Sequence, residues 1–442
     1  MSTYFSDQLQ QLQKSAAADE LVFRRDALEV FQTYGMPRRK QDPWKYTDNS
    51  ALLNLPLNPP SPADTADSVP QVTAEPSAKI PLQEICFLND VLLSQTSSEK
   101  ISAQDAKIRS LELKADGELN LNPTKWQLDK DNLEEEENSY SLINAFSFSS
   151  AYELKPSPPA SEGAPEQNLR LRFQGQNSYQ APRLYIDVPA GADVRILLDT
   201  RELGPNVYWN PYFFFNVGPA ARLTLLERGP KLSGSDPNTG TGHVRSVTLR
   251  GKIAESAVVN AALFYWNTEL AVHDTRFTIE GENAHVCMRG ICFGEGRSAY
   301  HLRCENRHSA PNSKSENLYK NVLFDKATSE FYGIIHADSN GMGTDAVQKN
   351  RNLLLSNEAR AIARPQLEIL IDDLKCSHGS STGSIDPEEL FYMRSRGLSH
   401  YEATNLAVVG FVEEISTYFD EKLLETLGIE DCLHTLLSKR NS

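Results

Sequence analysis

The order of apolar and polar positions divides the chain into a helical start, a long strand-rich middle and a helical end. In the first 54 residues Leu21, Ala27, Leu28 and Phe31 fall on one helical face, and Gly35, shortly before Pro37, is placed to end that helix. Over residues 169–374 the pattern changes to short alternating runs separated by Gly, Pro, Asn and Asp turns. No helical periodicity intervenes, which excludes a doubly wound sheet. A small residue at a turn, followed by an alternating run, recurs at Ala192, Ala221, Ala257, Ala284 and Ala327. Spacings of about 29, 36, 27 and 43 residues are in the range of stacked coils. On pattern alone a β-sandwich and a β-solenoid both remain open. The helical period returns after Asp386, an N-cap residue followed by Pro387, with Glu389 at the capping-box position. Ser399 and Glu402 form a second capping box, and Leu406, Val409, Val412 and Ile415 make an apolar stripe; two more helices are expected over 418–427 and 431–438.

Four regions follow: an N-terminal helical region, 1–54; a linker and mixed α/β region, 55–138; a strand core, 139–385; and a C-terminal helical domain, 386–442. Residues 55–78 are rich in Pro, Ser and Ala, as a linker is, and 156–165 are again Pro-rich. The basic run at 36–40 and the acidic run at 134–137 read as solvated loops, because nothing beside them completes a binding site. Trp44 and Tyr46 read as anchors for the N-terminal helices.

Composition narrows the classes. With 442 residues, 40% hydrophobic and 23% charged, the chain has the balance of a soluble globular protein with two or three domains. A formal net charge of −15 argues against nucleic-acid binding. No apolar run reaches membrane-spanning length, and the N-terminus has neither a secretory core nor the composition of a transit peptide. Six irregularly spaced cysteines do not form a disulfide framework, so a reduced, cytoplasmic protein is expected.

Candidate chemistry concentrates in residues 365–397. Leu367, Ile369 and Ile371 alternate with other residues as in a strand, Asp372 and Asp373 follow, and Cys376 and His378 stand two residues apart. On extended backbone both point to one face, roughly 7 Å apart at Cα, which suits a shared metal or cluster better than a nucleophile–base pair. Gly379 and Gly383 are expected to break that strand before the helix begins. A second concentration, over 284–308, holds His285, Cys287, Cys292, His301, Cys304 and His308. It lacks established zinc-ligand spacing, and its cysteines read first as small apolar core residues. Asp345, Gln348, Asn350 and Asn352 share a strand-like stretch and are read as structural, with the buried amides stacking between coils.

The run L-E-I-L-I-D-D-L-K-C-S-H-G-S-S-T-G-S-I-D, continuing to L-F-Y-M-R-S-R-G, resembles the SufD family of the SUF iron–sulfur cluster assembly machinery. So do T-D-A-V-Q-K-N-R-N-L-L-L-S and, more weakly, G-M-P and W-K-Y-T near the N-terminus. Where that family commonly has Glu two residues before the Trp, Asp42-Pro43 stands here. The resemblance implies a right-handed parallel β-helix core flanked by the two helical regions. It implies a non-catalytic scaffold that pairs with a SufB-like paralogue through the β-helix and binds a SufC-like ABC ATPase through the C-terminal helices. ATP hydrolysis would reside in that ATPase, since no G-x-x-x-x-G-K-[ST] loop occurs here. The resemblance further implies a transient iron or iron–sulfur cluster shared with SufB and held by His378, with Cys376 the less secure donor and Asp372 and Asp373 in support. Two donors are too few for a closed site, so the others are expected from the partner. A reduced flavin is implied for the complex, without a motif in this chain, and self-pairing in isolation is compatible with the family. SufB would carry a cysteine upstream of the last strand and an H-E-A-type motif in place of C-S-H-G; residues 357–364 hold no cysteine. Two other readings compete: a stand-alone zinc or iron metalloprotein built on the 284–308 cluster, and a purely architectural solenoid.

Overall fold

The computed structural model describes residues 18–37, 44–55, 83–88, 91–93, 109–113, 119–123, 138–148, 150–159, 161, 166–175, 179–203, 207–229, 243–266 and 268–415. The basic run beyond Pro37, the 56–78 linker, the 134–137 acidic run and the two helices expected after 415 lie outside the described residues. In chain order the early strands are β1 (Gln83–Leu88), β2 (Val91–Leu93), β3 (Arg109–Leu113), β4 (Leu119–Pro123), β5 (Ser150–Lys155), β6 (Gln167–Gly175), β7 (Tyr179–Gln180), β8 (Pro182–Val188), β9 (Asp193–Leu203), β10 (Tyr208–Trp209), β11 (Tyr212–Val217) and β12 (Arg222–Arg228). Longer, regular strands follow: β13 (Val244–Ile253), β14 (Val258–Tyr265), β15 (Leu270–Ile279), β16 (His285–Gly294), β17 (Ala299–His308), β18 (Lys314–Leu323), β19 (Thr328–Ala337), β20 (Thr344–Leu354), β21 (Arg360–Ile369) and β22 (Leu374–Gly383).

From β11 on, successive strands alternate between two sheets and pair in parallel with the strand two places on, and the chain winds as a β-solenoid of about seven turns. One sheet has ten strands and ends at β22; the other has twelve and ends at β21. Strands β1–β4 join these sheets, β1 pairing with β6 and β3 with β5.

The repeat is set at a corner. Gly191, Ala220, Ser256, Asn283, Asn312 and Gly343 all have φ between 54° and 72°. Several hand their N–H to the corner above, from Ser256 to Glu282, Asn283 to Pro311, Asn312 to Met342 and Gly343 to Asp373. Ala192, Ala221, Ala257 and Ala284 come immediately after these residues and are at most 1% exposed, because only a small side chain fits the inside of the bend. Four of the five alanines in the sequence repeat therefore mark one corner. Ala327 follows Asp325, at a separate corner between β18 and β19, which accounts for the long last spacing.

Residues in register on stacked parallel strands share a face, so each interior position heads a column through the turns. One column runs Ala261, Met288, Asn317, Gln348, His378; another, two columns along, runs Tyr265, Cys292, Asn321, Asn352, Thr382. The lumen is thus apolar in the middle and amide-lined toward the C-terminal end. Asn321 donates to Asn352 Oδ1 at 2.6 Å, and Asn352 donates to Asn350 Oδ1 at 2.8 Å and Thr382 Oγ1 at 3.0 Å. The expected amide stack is present; Asp345 is not part of it, since it occupies an outward position.

Helices cover the outer faces. The first is α1 (Ala18–Tyr34), ended as expected by Gly35 at φ 67°, followed by α2 (Ser50–Asn54) and α3 (Ser139–Ser147). Phe23 and Ala27 of α1 and the wholly buried α3 pack with Tyr185, Tyr212 and Phe214 on the twelve-stranded sheet. Trp44 anchors this layer edge-on to Tyr140, with ring centroids 5.5 Å apart. Tyr46 does not, being 43% exposed beneath the Arg364 guanidinium.

At the other end lie α4 (Pro387–Ser395) and α5 (His400–Glu413). Asp386 caps α4 by accepting from Glu388 N–H at 2.9 Å, and Ser399 with Glu402 closes a reciprocal capping box on α5. Val408 and Val412 of α5, with Ile415 beyond it, pack on Phe264, Ile291, Phe293 and Leu318 of the ten-stranded sheet. Glu414 fixes the register by bonding Lys320 at 2.7 Å and Arg351 at 2.6 Å. The apolar stripe is therefore divided: Val412 and Ile415 face the sheet, whereas Leu406 and Val409 face out at 55% and 43% exposure.

Candidate functional site

The last turn of the solenoid leaves the described chain with an open end. Strands β21 and β22 each have one neighbour, β19 and β20, and their far edges carry no strand. Their interior-facing residues continue the columns below but have no described turn above them. Ala361, Ala363, Pro365 and Leu367 on β21 are half-exposed, and Ile369 reaches 38% exposure. Across the lumen, Cys376 lies in register over Ala346 and His378 over Gln348. One side of the open end is thus apolar and the other polar.

Cys376 and His378 share the interior face, as expected from their spacing. Cys376 is half-buried and His378 exposed. Burial raises the Cys376 thiol above its ordinary pKa, against a backbone hydrogen bond at Ala346, so a metal or partner charge is needed to hold it as thiolate. Asp372 and Asp373 stand exposed at the corner before β22, and Asp373 contributes its backbone carbonyl, which accepts from Gly343 N–H at 2.7 Å. Gly379 does not break the strand, whereas Gly383 is its last residue, as expected. Gly379 lies within β22 opposite Lys349, because the ladder with β20 outweighs local preference for a turn.

The 284–308 residues are dispersed. Cys292, Cys304 and His308 point into the lumen, whereas His285 and Cys287 face outward from the ten-stranded sheet and His301 from the twelve-stranded one. Cys292 and Cys304 belong to the apolar core. Burial pushes the Cys304 thiol to about 12 and the Cys287 thiol to about 11, and raises Cys292 further. His308 is held between the Ser313 and Ser315 hydroxyls, each at 2.8 Å. Among the described residues no three His, Cys, Asp or Glu side chains converge as a metal site. The metalloprotein reading of this segment fails on geometry: period-two alternation on two different sheets separates its donors.

Two constellations were not anticipated from sequence. Inside the lumen Glu227 accepts from Arg245 at 2.6 Å and from Tyr265 at 2.6 Å, and Tyr265 also contacts His273. Burial pulls His273 down to about 3 and raises Glu227, the latter opposed by Arg245. Charged residues at apolar-phase positions, such as Arg245 in step with Val247 and Leu249, were the available signal. The second joins W-K-Y-T to the last turn. His301 Nδ1 lies 3.4 Å from Thr47 Oγ1 and 3.1 Å from Glu330 Oε2, and Arg364 of β21 reaches Glu330 Oε1 at 3.5 Å. Nothing in the linear sequence brings Thr47 to His301.

Residues 171–411 match the family described as SUF system FeS cluster assembly, SufBD core domain. The chain is 31% identical over 164 residues to the Escherichia coli iron–sulfur cluster assembly protein SufD, covering 37% of this chain and 39% of that protein. It is 28% identical over 243 residues to a SufBD family protein of Synechocystis, covering 53% and 52%, and 28% identical over 183 residues to SufD of Bacillus subtilis, covering 41% and 42%. The chain spans about half or less of the length of these curated relatives. The family match covers more than half of the chain and takes in the lumen columns, the open last turn and most of α5, so the protein belongs to the SufBD core family of the SUF iron–sulfur cluster assembly system, with SufD among its relatives.

Proposed function

We propose that the chain is a SufD-like scaffold subunit that pairs with a SufB-like paralogue through its last solenoid turn and contributes His378 to iron acquisition or nascent-cluster binding at that junction. The observation that carries this reading is the open end itself. Two ten-residue edge strands and a half-apolar lumen mouth, uncovered among the described residues, are a surface suited to pairing with another chain. A second parallel-stranded chain of similar shape would continue both sheets and both sets of columns. Iron or a cluster is cargo here, and the donor set suits it: neutral imidazole and a thiol that becomes thiolate on metal binding are competent ligands. Two donors leave room for the partner's own.

The C-terminal helices would receive the SufC-like ATPase. Phe391 and Tyr392 on α4 are 74% and 58% exposed, and with Leu406 and Val409 on α5 they leave large apolar side chains in solvent while the other face of α5 is anchored to the sheet. In this reading the chain holds no catalytic group, and ATP hydrolysis moves the scaffold from the partner's site.

Co-expression with SufB-like and SufC-like chains tests the assembly. Leu367→Lys places an ammonium at the apolar side of the lumen mouth, where it would be desolvated on pairing. It is expected to abolish co-purification of the SufB-like chain while retaining the SufC-like one. Unchanged recovery of the SufB-like chain would refute pairing through the last turn.

A further inference from the structure

Gln348 lies on β20 in direct register with His378, on the same interior face, with strands stacked roughly 4.8 Å apart. It is fully buried. Its Nε2 donates to Gly333 O on the opposite sheet at 3.1 Å, so the amide spans the lumen in a fixed plane. Gly333 makes that seat: a Cβ there would fall well inside van der Waals contact with the Gln348 amide. Gln348 Oε1, by contrast, is sealed from solvent and accepts no hydrogen bond. A buried carbonyl oxygen in that state is costly, and native structures normally satisfy it. The layer above it is the last turn. There Cys376 stands over Ala346, Ser380 over Asn350, and Thr382 over Asn352, which it already serves as acceptor. His378 alone is in register with Gln348.

We propose that Gln348 is the positioning residue of His378. Its Oε1, which makes no such bond in this structure, accepts the N–H of one imidazole nitrogen once the His378 ring turns toward it; that bond selects one neutral tautomer, sets the ring plane and turns the lone pair of the other nitrogen toward the open end. An imidazole ligand needs its coordinating nitrogen unprotonated and its other nitrogen held by an acceptor, and a fixed amide oxygen supplies that without adding charge. The inference rests on the reading of His378 as a donor to iron, and it adds the residue that orients it before any iron or partner arrives.

The test uses the isolated full chain, free of metal, with 15N-labelled histidine, and identifies the His378 signals by their loss in His378→Asn. The expected wild-type spectrum shows His378 biased to one tautomer beyond the ratio of free imidazole. Gln348→Met, similar in length but without an acceptor, should return it to that ratio, and Gln348→Glu, which keeps the acceptor, should restore the bias. A wild-type His378 already at the free-imidazole ratio overturns the proposal without any variant, so misfolding cannot shield it. A folded Gln348→Met that leaves the bias intact also overturns it and assigns Oε1 to trapped water. In the assembled complex Gln348→Met should retain iron about tenfold more weakly. A tautomer shift in Gln348→Met, together with full iron content in His378→Ala, supports the positioning but removes the ligand role, so the two claims fail separately.

Discussion

Asn352→Ala probes what holds the last strand in place. Asn352 is 4% exposed; it accepts from Asn321 Nδ2 at 2.6 Å and donates to Asn350 Oδ1 at 2.8 Å, Ser381 O at 3.3 Å and Thr382 Oγ1 at 3.0 Å. Truncation strands two groups in the lumen, the Asn321 amide N–H and the Asn350 carbonyl, each at about 1–3 kcal/mol, so a total loss of about 2–6 kcal/mol is expected. Ser381 and Thr382 sit at the exposed edge and can turn to water, which limits their share of the stability loss but frees β22. Two readouts separate these effects. Urea unfolding should show the global loss, and amide hydrogen exchange should accelerate most in 374–383. A loss below about 1 kcal/mol, with β22 exchange unchanged, would mean that the amide stack is not what ties the last strand to the solenoid.

Two further outcomes are expected. Burial pulls His308 down to about 4 from its ordinary 6.5, so its contribution to stability is complete above pH 6.5 and drains away as pH falls toward 4. Between pH 7 and pH 5 this residue should account for about 2 kcal/mol of lost stability, and His308→Gln should flatten that part of the urea-midpoint profile; an unaltered slope would refute the assignment. Val412→Ala removes two methyl groups from the α5–sheet contact, where Val412 is 4% exposed, and should cost about 2 kcal/mol while raising hydrogen exchange across His400–Glu413 ahead of the rest of the chain.

The repeat was legible because the corner chemistry is local. A left-handed residue followed by a small inward one recurs at one corner of successive turns, and Ala327 lies at a different corner. The placement of Cys376 and His378 on one face followed from the period of two. What the sequence did not disclose was which columns end uncovered, since exposure at β21 and β22 depends on how many turns lie beyond them. The division of α5 was likewise hidden: Leu406, Val409, Val412 and Ile415 fit one stripe, but the sheet claims Val408, Val412 and Ile415 and leaves the first two in solvent. Contacts between distant segments, such as Thr47 with His301 and Gln348 with Gly333, exist only once the coils are stacked.

The central claim is that His378 presents an iron donor at an open solenoid end. Its most direct test is iron and acid-labile sulfide per complex after anaerobic co-expression with the SufB-like and SufC-like chains, comparing wild type with His378→Ala at matched complex yield. The account predicts that both fall while all three chains still co-purify. Unchanged iron and sulfide in the intact His378→Ala complex would contradict it and leave this chain as architecture alone.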